Sequence, residues 1–216
     1  MTSNSLSSEP VVLIVDDDDV VRSSLDSLLR SVGMQARLFG STGEFLRKPL
    51  PDAPCCLVLD VRLPGTSGLD FQAELEQAGI HVPIIFITGY GDIPMTVKAM
   101  KAGAVEFLAK PFRDREFLEA VRAAIQKDSR ERATNKWVEK IKKDFYTLTP
   151  REKEVIALVT SGLMNKQIAA RLGVTEITVK VHRGNVMRKM GARSLAELIR
   201  MSDALELKHE IPPRSP

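Results

Sequence analysis

Over the first half of the chain, short runs of apolar residues alternate with longer segments in which apolar residues recur at helical spacing. Continuously apolar strands that alternate with helices are typical of a parallel sheet covered on both faces, because each strand is then buried on both sides. Right-handed crossovers connect such strands, which leaves few possible topologies. The predicted strands are residues 11–15, 35–39, 55–59, 83–87 and 105–108.

Five parallel strands and five helices predict an α/β domain of the flavodoxin-like type, with strand order 2-1-3-4-5. The chain has 216 residues, more than the roughly 100 to 150 of an average domain, so we expect a second domain. Acidic residues outnumber basic ones in 1–126, whereas basic residues outnumber acidic ones in 147–216. The second half is therefore the candidate for binding a polyanion.

The linker between the two domains is predicted to be helical. From Arg113 to Thr149 the chain has neither Gly nor Pro, and the stretch is rich in residues with high helix propensity. Its middle has no large apolar side chain and should be exposed, whereas Trp137, Ile141 and Phe145 share one helical face that should be packed. The predicted segments are a disordered amino terminus (1–10), the α/β domain (11–126), the helical linker (127–146), an all-α domain (147–204) and a carboxy-terminal tail (205–216).

Two further features concern location and redox chemistry. No apolar run approaches the roughly 20 residues of a membrane-spanning helix, and residues 1–10 lack the pattern of a signal peptide. We therefore expect no membrane partner and a cytoplasmic location. The two cysteines, Cys55 and Cys56, are adjacent within a predicted strand, which favours a buried pair of thiols over a disulfide framework or a zinc site.

Polar residues follow the predicted strands where a parallel sheet places its ligands, beyond the carboxyl ends. Asp16 and Asp17 follow the first strand, Asp60 the third, Thr88 the fourth and Lys110 the fifth. Three neighbouring carboxylates repel one another unless they share a hard divalent cation, for which Mg²⁺ is the natural choice. An oxygen of Asp60 could then attack a phosphoryl group whose oxygens are stabilised by the metal, Thr88 and Lys110.

The segments VLIVDDDD, LVLDVRLPGTSG, FITGYGD and EFLAKPF closely resemble the receiver domains of two-component response regulators, and the match spans residues 11–128. The resemblance implies that Asp60 accepts a phosphoryl group from a sensor histidine kinase. It also implies that Asp16 and Asp17 hold Mg²⁺ together with Asp60 and the backbone carbonyl of Arg62.

In the same resemblance, Thr88 matches the switch threonine, Lys110 the invariant lysine and Phe107 the aromatic switch position. Asp18 and Asp19 come next to the metal positions but are expected to face solvent or to cap the following helix, because carboxylates favour the first helical turn. Each residue alone is weak support, since a lone Asp or Thr after a strand is usually a cap or turn residue. The complete set in order is strong support.

Two alternatives compete with this interpretation. Residues 16–20 also fit the D-x-D-x-[TV] motif of haloacid-dehalogenase-type phosphatases, in which Asp16 would be the nucleophile. Such an enzyme needs a second acidic pair after a later strand, and residues 91–94 supply a single aspartate. The other alternative makes the receiver domain a docking or dimerisation module that acts without phosphorylation, against which the complete acidic pocket argues.

The second half is predicted to contain four helices, at residues 149–161, 165–172, 175–190 and 194–202, separated by glycines. Pro150 after Thr149 and before Glu152 is a typical helix start. The turn at Gly173 and Val174 between two helices indicates a helix-turn-helix. From Lys166 to Arg193 there are seven basic residues and one acidic residue, which favours double-stranded DNA as the polyanion.

The third of these helices has two predicted faces. The inward residues are Val179, His182, Val186 and Met190, at spacings of three and four. The outward face, which should enter the major groove, is centred on Lys180, Arg183, Gly184 and Met187. His182 is interpreted as a core histidine with satisfied hydrogen bonds.

The stretch from Leu148 to Leu198 is similar throughout to the LuxR-type DNA-binding domain. In that family the positions of Lys180 and Val181 meet base edges, while basic neighbours and helix amino termini hold phosphates. Many members have a polar or basic contact residue where this chain has Gly184, so Arg183 or Asn185 is the candidate replacement. The predicted DNA contacts are Lys166, Thr178, Lys180, Val181, Arg183, Asn185, Arg188 and Lys189.

Together the two domains identify the chain as a member of the NarL/FixJ family, and its sequence resembles the FixJ-like branch. The resemblance implies a phosphorylation-dependent transcription regulator rather than an enzyme, with Mg²⁺-dependent self-phosphorylation and slow dephosphorylation as its only chemistry. Expected partners are the kinase, promoter DNA, RNA polymerase and, after phosphorylation, a second copy. That homodimer would form through the fourth helix, fifth strand and fifth helix, with ion pairs drawn from Lys98, Lys101, Arg115, Asp114 and Glu119.

Overall fold

The computed structural model describes residues 9–89 and 93–206. The chain divides into two compact units, Met1–Arg132 and Ala133–Pro216. The predicted disordered amino terminus and the carboxy-terminal tail lie outside the described residues, apart from 9–10 and 205–206. Within the described residues, no helix is both long and apolar enough to cross a membrane.

The first unit is built on a parallel five-stranded sheet. Its strands are β1 (Val11–Val15), β2 (Gln35–Phe39), β3 (Cys55–Asp60), β6 (Ile84–Thr88) and β7 (Glu106–Ala109). They lie in the order β2-β1-β3-β6-β7, which confirms the predicted order 2-1-3-4-5 when sheet strands alone are counted. The remaining strands, β4 (Arg62–Leu63) and β5 (Thr66–Ser67), form a short antiparallel ladder that was not predicted.

Helices cover both faces of this sheet. They are α1 (Asp19–Ser31), α2 (Thr42–Leu46), α3 (Gly68–Gln77), α4 (Ile93–Lys101) and α5 (Asp114–Tyr146). Alternate strand residues enter two cores: Leu57 packs with residues of α2, α3 and α4, and Val58 packs with residues of α1 and α5. Every residue of β1, β3 and β6 is buried, which explains their continuously apolar sequences. Cys55 and Cys56 are buried free thiols, as predicted.

Helix α5 is 33 residues long and includes the whole predicted linker. The expected exposure of its middle is wrong at Asp128, which is only 4% exposed. A carboxylate oxygen of Asp128 accepts hydrogen bonds from the backbone N–H of Cys55 (2.7 Å) and from Nε of Arg132 (2.6 Å). A buried carboxylate requires such partners, because burial without them would cost several kcal/mol. Asp128 and Arg132 therefore attach α5 to the beginning of β3.

The second unit contains α6 (Pro150–Thr160), α7 (Asn165–Leu172), α8 (Glu176–Met190) and α9 (Leu195–Ala204), close to the predicted helices. Thr149 caps α6 in a capping box with Glu152, and Pro150 occupies the first turn. The apolar face at the end of α5 packs unevenly: Ile141 is buried in the core of this unit, Phe145 packs at its margin, and Trp137 remains 39% exposed. The prediction for Trp137 is therefore wrong, because a shared helical face does not ensure that every residue on it is covered.

Candidate functional site

Three carboxylates meet at the carboxyl edge of the sheet in the first unit. The site contains one carboxylate oxygen from each of Asp16, Asp17 and Asp60, and these three oxygens all lie within 4.8 Å of one another. Asp16 follows β1 and is 0% exposed, Asp60 ends β3 and is 8% exposed, and Asp17 is exposed. The parallel register places β1 beside β3, which explains why residues so distant in sequence converge.

Lys110, which follows β7, forms ion pairs with two of these carboxylates. Its Nζ lies 2.7 Å from Oδ2 of Asp16 and 3.1 Å from Oδ2 of Asp60. The other oxygens accept main-chain hydrogen bonds, Oδ1 of Asp16 from the N–H of Asp18 (2.9 Å) and Oδ1 of Asp60 from the N–H of Arg62 (3.1 Å). Each carboxylate thus has an ammonium on one oxygen and a main-chain donor on the other.

Burial and charge act in opposite directions on these groups. Burial raises the pKa of Asp16, even though the hydrogen bond from Lys110 lowers it. Burial alone would lower the pKa of Lys110, but its hydrogen bonds to Asp16 and Asp60 outweigh that effect and raise the pKa. Lys110 therefore keeps its positive charge at neutral pH, where it can stabilise an anionic group.

Thr88 and Phe107 lie on the neighbouring strands. Thr88 ends β6 in a fully buried position, one residue after Ile87, which pairs with Asp60. Its carbonyl accepts a hydrogen bond from the N–H of Lys110 (2.7 Å). Phe107 on β7 is half-buried, with its ring centroid 6.2 Å from that of Phe86. The fold therefore brings Thr88 and Lys110 to the same edge as Asp60 and places Phe107 further back in the sheet.

Two residues beside the site were given no specific role in the sequence analysis. Gly68 begins α3 so close to β3 that a Cβ would overlap the carbonyl oxygen of Asp60. Its presence in the LPGTSG segment was the available signal. Arg22 on α1 donates to the main-chain carbonyl of Asp16 and pairs with Asp19. Asp18 caps α1 by accepting from the N–H groups of Val20 and Val21, as expected for a capping residue.

The donor set fits a hard divalent cation, since carboxylate oxygens are the ligands that such ions prefer. The arrangement of these residues agrees less well with the phosphatase alternative. Asp16, the nucleophile of that alternative, is fully buried and already accepts from Lys110 and the N–H of Asp18. That alternative takes its second acidic motif from residues 91–94, and two of these, Gly91 and Asp92, lie outside the described residues.

In the second unit, the inward face of α8 is largely as predicted. Val179, Val186 and Met190 are buried in the core, and His182 is half-buried. Nδ1 of His182 is buried and has no hydrogen-bond partner among the described residues. The expectation of a histidine with satisfied hydrogen bonds is therefore wrong at that atom.

The outward face of α8 is rotated relative to the prediction. Met187 packs against the core and Arg183 is half-buried, with Nη1 3.2 Å from Oδ1 of Asn165 on α7. Helix α8 packs against both α6 and α7, so the covered face extends further around the helix than sequence spacing suggests. The exposed face is centred on Ile177, Val181 and Gly184, and Lys180 is exposed at its edge.

The remaining predicted DNA contacts differ in their surroundings. Lys166 is exposed in the first turn of α7. The Thr178 hydroxyl lies 2.9 Å from that of the cap residue Thr175, and Asn185 accepts from Arg188 (3.2 Å). The Lys189 ammonium lies 2.7 Å from a carboxylate oxygen of the buried Glu152 and also donates to the carbonyl of Thr147 (3.3 Å). The structure therefore gives Lys189 partners within the unit, away from the exposed face.

Comparison with known proteins gives two family matches. Residues 12–122 match the family described as "Response regulator receiver domain", and residues 146–202 match "Bacterial regulatory proteins, luxR family". The chain is 59% identical to Nodulation protein W of Bradyrhizobium diazoefficiens, over 92% of this chain and 88% of that protein. It is 43% identical to Transcriptional regulatory protein FixJ of Azorhizobium caulinodans, over 88% of this chain and 90% of that protein.

The chain belongs to the NarL/FixJ family of response regulators. A solved structure of response regulator StyR is similar to this response regulator with a TM-score of 0.79 and 46% identity, over 90% of this chain and 98% of that one. The two domains together establish phosphorylation-dependent regulation of transcription, with a kinase and DNA as partners. The acidic cluster of the receiver domain is consistent with a divalent metal.

Proposed function

We propose that the response regulator accepts a phosphoryl group on Asp60 from a sensor histidine kinase, and that transfer requires Mg²⁺ held by Asp16, Asp17, Asp60 and the backbone carbonyl of Arg62. The observation that carries this proposal is the convergence of three carboxylates and the Lys110 ammonium at one edge of the sheet. Asp60 is the acceptor because its side chain, unlike that of Asp16, keeps a small exposed fraction (11% against 0%) and contacts Lys110 directly.

The transfer needs little covalent chemistry from the protein. An oxygen of Asp60 forms a bond to phosphorus while the bond from phosphorus to the kinase histidine nitrogen breaks, and that nitrogen keeps the electron pair. Bound Mg²⁺ supplies positive charge that offsets the repulsion between carboxylates and phosphoryl oxygens. The Lys110 ammonium and the Thr88 hydroxyl stabilise those oxygens. Acetyl phosphate can replace the kinase as donor, and slow hydrolysis returns Asp60 to its original state.

The added charge on Asp60 draws Thr88 inward, and Phe107 follows into the vacated space. The response to this switch is a homodimer through α4, β7 and α5. In support, α4 exposes the apolar residues Ile93, Val97 and Met100.

Some of the residues predicted to form ion pairs across that dimer already have partners within the chain. Arg115 and Glu119 already pair within α5 at 2.8 Å, and Lys98 lies 4.0 Å from Asp70. Lys101 and Asp114 are exposed and remain candidates for contacts with the second copy. Sedimentation should show a dimer on stoichiometric phosphorylation, and an unchanged monomer would contradict this part of the proposal.

The output is promoter binding by α8 in the major groove. Lys180 and Val181 contact base edges, and Lys166, Thr178, Arg183, Asn185 and Arg188 contact the DNA backbone or support those contacts. We assign Lys189 to the ion pair with Glu152 rather than to DNA. RNA polymerase is a further proposed partner at the bound promoter, and the cytoplasm is the proposed location because promoter DNA lies there.

The test of the acceptor is the intact mass of the full chain after incubation with acetyl phosphate and Mg²⁺. Wild type should gain one phosphoryl group, and Asp60→Asn should gain none. A phosphoryl group on Asp60→Asn at the wild-type rate would contradict the proposal. If Asp16→Asn abolished the adduct while Asp60→Asn kept it, the phosphatase alternative would be correct.

A further inference from the structure

Helix α8 exposes two large aliphatic side chains at the centre of its outward face. Ile177 is 77% exposed and Val181 is 58% exposed. With about 100° of rotation per residue, Ile177, Val181 and Gly184 lie within about 60° of one another, on the side opposite the buried Val179 and Val186. These two side chains therefore contribute nothing to the core and present an apolar strip to solvent.

The surroundings of this strip are cationic. Lys180 and Arg188 are exposed on α8 itself, and Lys166 is exposed on α7. The acidic residue of this helix, Glu176, is at its first position. An apolar strip with positively charged surroundings is complementary to the DNA major groove, where phosphates line the edges and each thymine presents a methyl group.

The position along the helix agrees with this occupant. Ile177 is the second residue of α8, after the cap residue Thr175. In helix-turn-helix proteins, the amino-terminal residues of the recognition helix contact base edges. Apart from its chain neighbours and the nearby backbone of α8, Gly184, one turn beyond Val181, has no described atom within 4 Å of where a Cβ would be. The absence of a side chain at this exposed position lets the helix backbone approach the bases.

We propose that Ile177, together with Val181, contacts thymine methyl groups in the major groove and thereby determines part of the operator sequence, with Gly184 providing clearance for the helix. This inference rests on the proposed placement of α8 in the major groove. It adds Ile177 as a specificity residue and names the chemical group that it recognises.

The test uses a duplex selected from a random library by the phosphorylated full chain, in which each thymine is replaced singly by uracil. This replacement removes one methyl group and keeps every hydrogen-bonding atom. Wild type should bind about fourfold more weakly where a methyl contact is lost, as expected for one buried apolar carbon. Ile177→Ala should lose a similar factor on the thymine duplex and be insensitive to uracil at that position. Retained discrimination by Ile177→Ala at every thymine would overturn the inference.

Three further variants separate the possible causes. Leu195→Ala removes a partly exposed aliphatic side chain on α9 and should keep the wild-type response to uracil; a lost response would show that the effect is not specific to α8. Lys180→Ala should bind the selected duplex more weakly. Binding at wild-type affinity would show that the placement of α8 has failed, independently of the result for Ile177.

Gly184→Ala tests the clearance. Alanine favours a helix over glycine, so this variant should be at least as stable as wild type. It should nevertheless bind the selected duplex more weakly, because the methyl group separates α8 from the bases. Unchanged binding would overturn the role of Gly184.

Discussion

The acidic site of the receiver domain and the exposed face of α8 both concentrate side chains with proposed functions, but they are organised differently. Asp16 and Asp60 are buried or nearly so, and each has a fixed partner on both carboxylate oxygens. On α8, by contrast, Ile177 and Val181 project into solvent and contribute nothing to the core. The first region is part of the fold, whereas the second is displayed by the fold.

This difference predicts different responses to substitution. An enclosed charge has lost its hydration, so removal of one partner leaves another group without compensation. An exposed side chain returns to water when its contact is lost. Its contribution to the binding free energy is therefore nearly additive with the contributions of other residues. Substitutions in enclosed charged groups should therefore have large effects, and substitutions on the displayed face should have moderate and nearly additive effects.

The largest effect is expected for Asp16→Asn. The amide keeps the shape of the side chain but removes the charge of a proposed metal ligand, so phosphorylation by acetyl phosphate should slow by a factor on the order of 100. The measurement is a time course of intact mass over a series of Mg²⁺ concentrations. Asp18→Asn is the matched control, because Asp18 is exposed and asparagine also caps helices well. Equal rates for the two variants would remove the distinction between enclosed and exposed carboxylates.

A second comparison uses two acidic residues of α5, each paired with an arginine four residues away. Asp128→Ala removes a carboxylate that binds Arg132 and the N–H of Cys55, and should destabilise the receiver domain by about 2 to 3 kcal/mol. Glu119→Ala breaks the exposed pair with Arg115 and should cost much less stability, because solvent screens exposed ion pairs. Urea unfolding of both variants, with hydrogen exchange at the Cys55 amide, measures the difference. Similar costs would mean that burial does not set the strength of these pairs.

On the displayed face, Lys180→Ala should cost roughly 1 to 3 kcal/mol on the selected duplex and much less on a scrambled one. Lys166→Ala should weaken binding to both duplexes about equally and lower the salt slope by about one unit. Binding of both variants to both duplexes across a salt series gives these values. Equal losses for Lys180→Ala on the two duplexes would show that the wrong face has been placed in the groove.

The smallest expected effect is the pH dependence of stability that arises from the ion pair between Glu152 and Lys189. The hydrogen bond from Lys189 lowers the pKa of Glu152 below its ordinary value of 4.5. A carboxyl whose pKa is lowered on folding adds stability above its unfolded pKa, and this stability is lost as the pH falls through the folded pKa. The stability difference between wild type and Glu152→Gln should therefore be larger near about pH 7 than below about pH 4. Urea midpoints over this range test it, and a pH-independent difference would contradict it.

Sequence patterns were sufficient for the sheet and for the acidic site because both depend on local rules. Buried parallel strands must be continuously apolar, and the residue after each strand lies at the binding edge. Asp60 and Lys110 could therefore be placed together without knowledge of any side-chain contact. The short β4–β5 ladder was missed because two-residue strands are too short to show periodicity.

Other features depend on packing between distant elements. Asp128 lies in a polar part of α5, and its burial follows from the proximity of Cys55, which helical spacing does not reveal. The exposed face of α8 was misplaced because Arg183 contacts Asn165 of α7 and Met187 packs against the core. The spacing of apolar residues predicts that a helix has an apolar face, but it does not predict how wide the buried face is. That width depends on which neighbouring helices pack against it.

The close approach of α3 to β3 has a mechanical consequence. Gly68 leaves no room between α3 and the main chain of Asp60, and its N–H bonds the carbonyl of Val61 at 2.8 Å. The N–H of Val61 in turn bonds the carbonyl of Ile87 at 3.1 Å. The backbone of Asp60, the proposed phosphoacceptor, is therefore supported from both sides and should resist displacement when a bulky dianion is attached. In the proposed mechanism, the displacement therefore passes into side chains that can rotate, beginning with Thr88 on the adjoining strand.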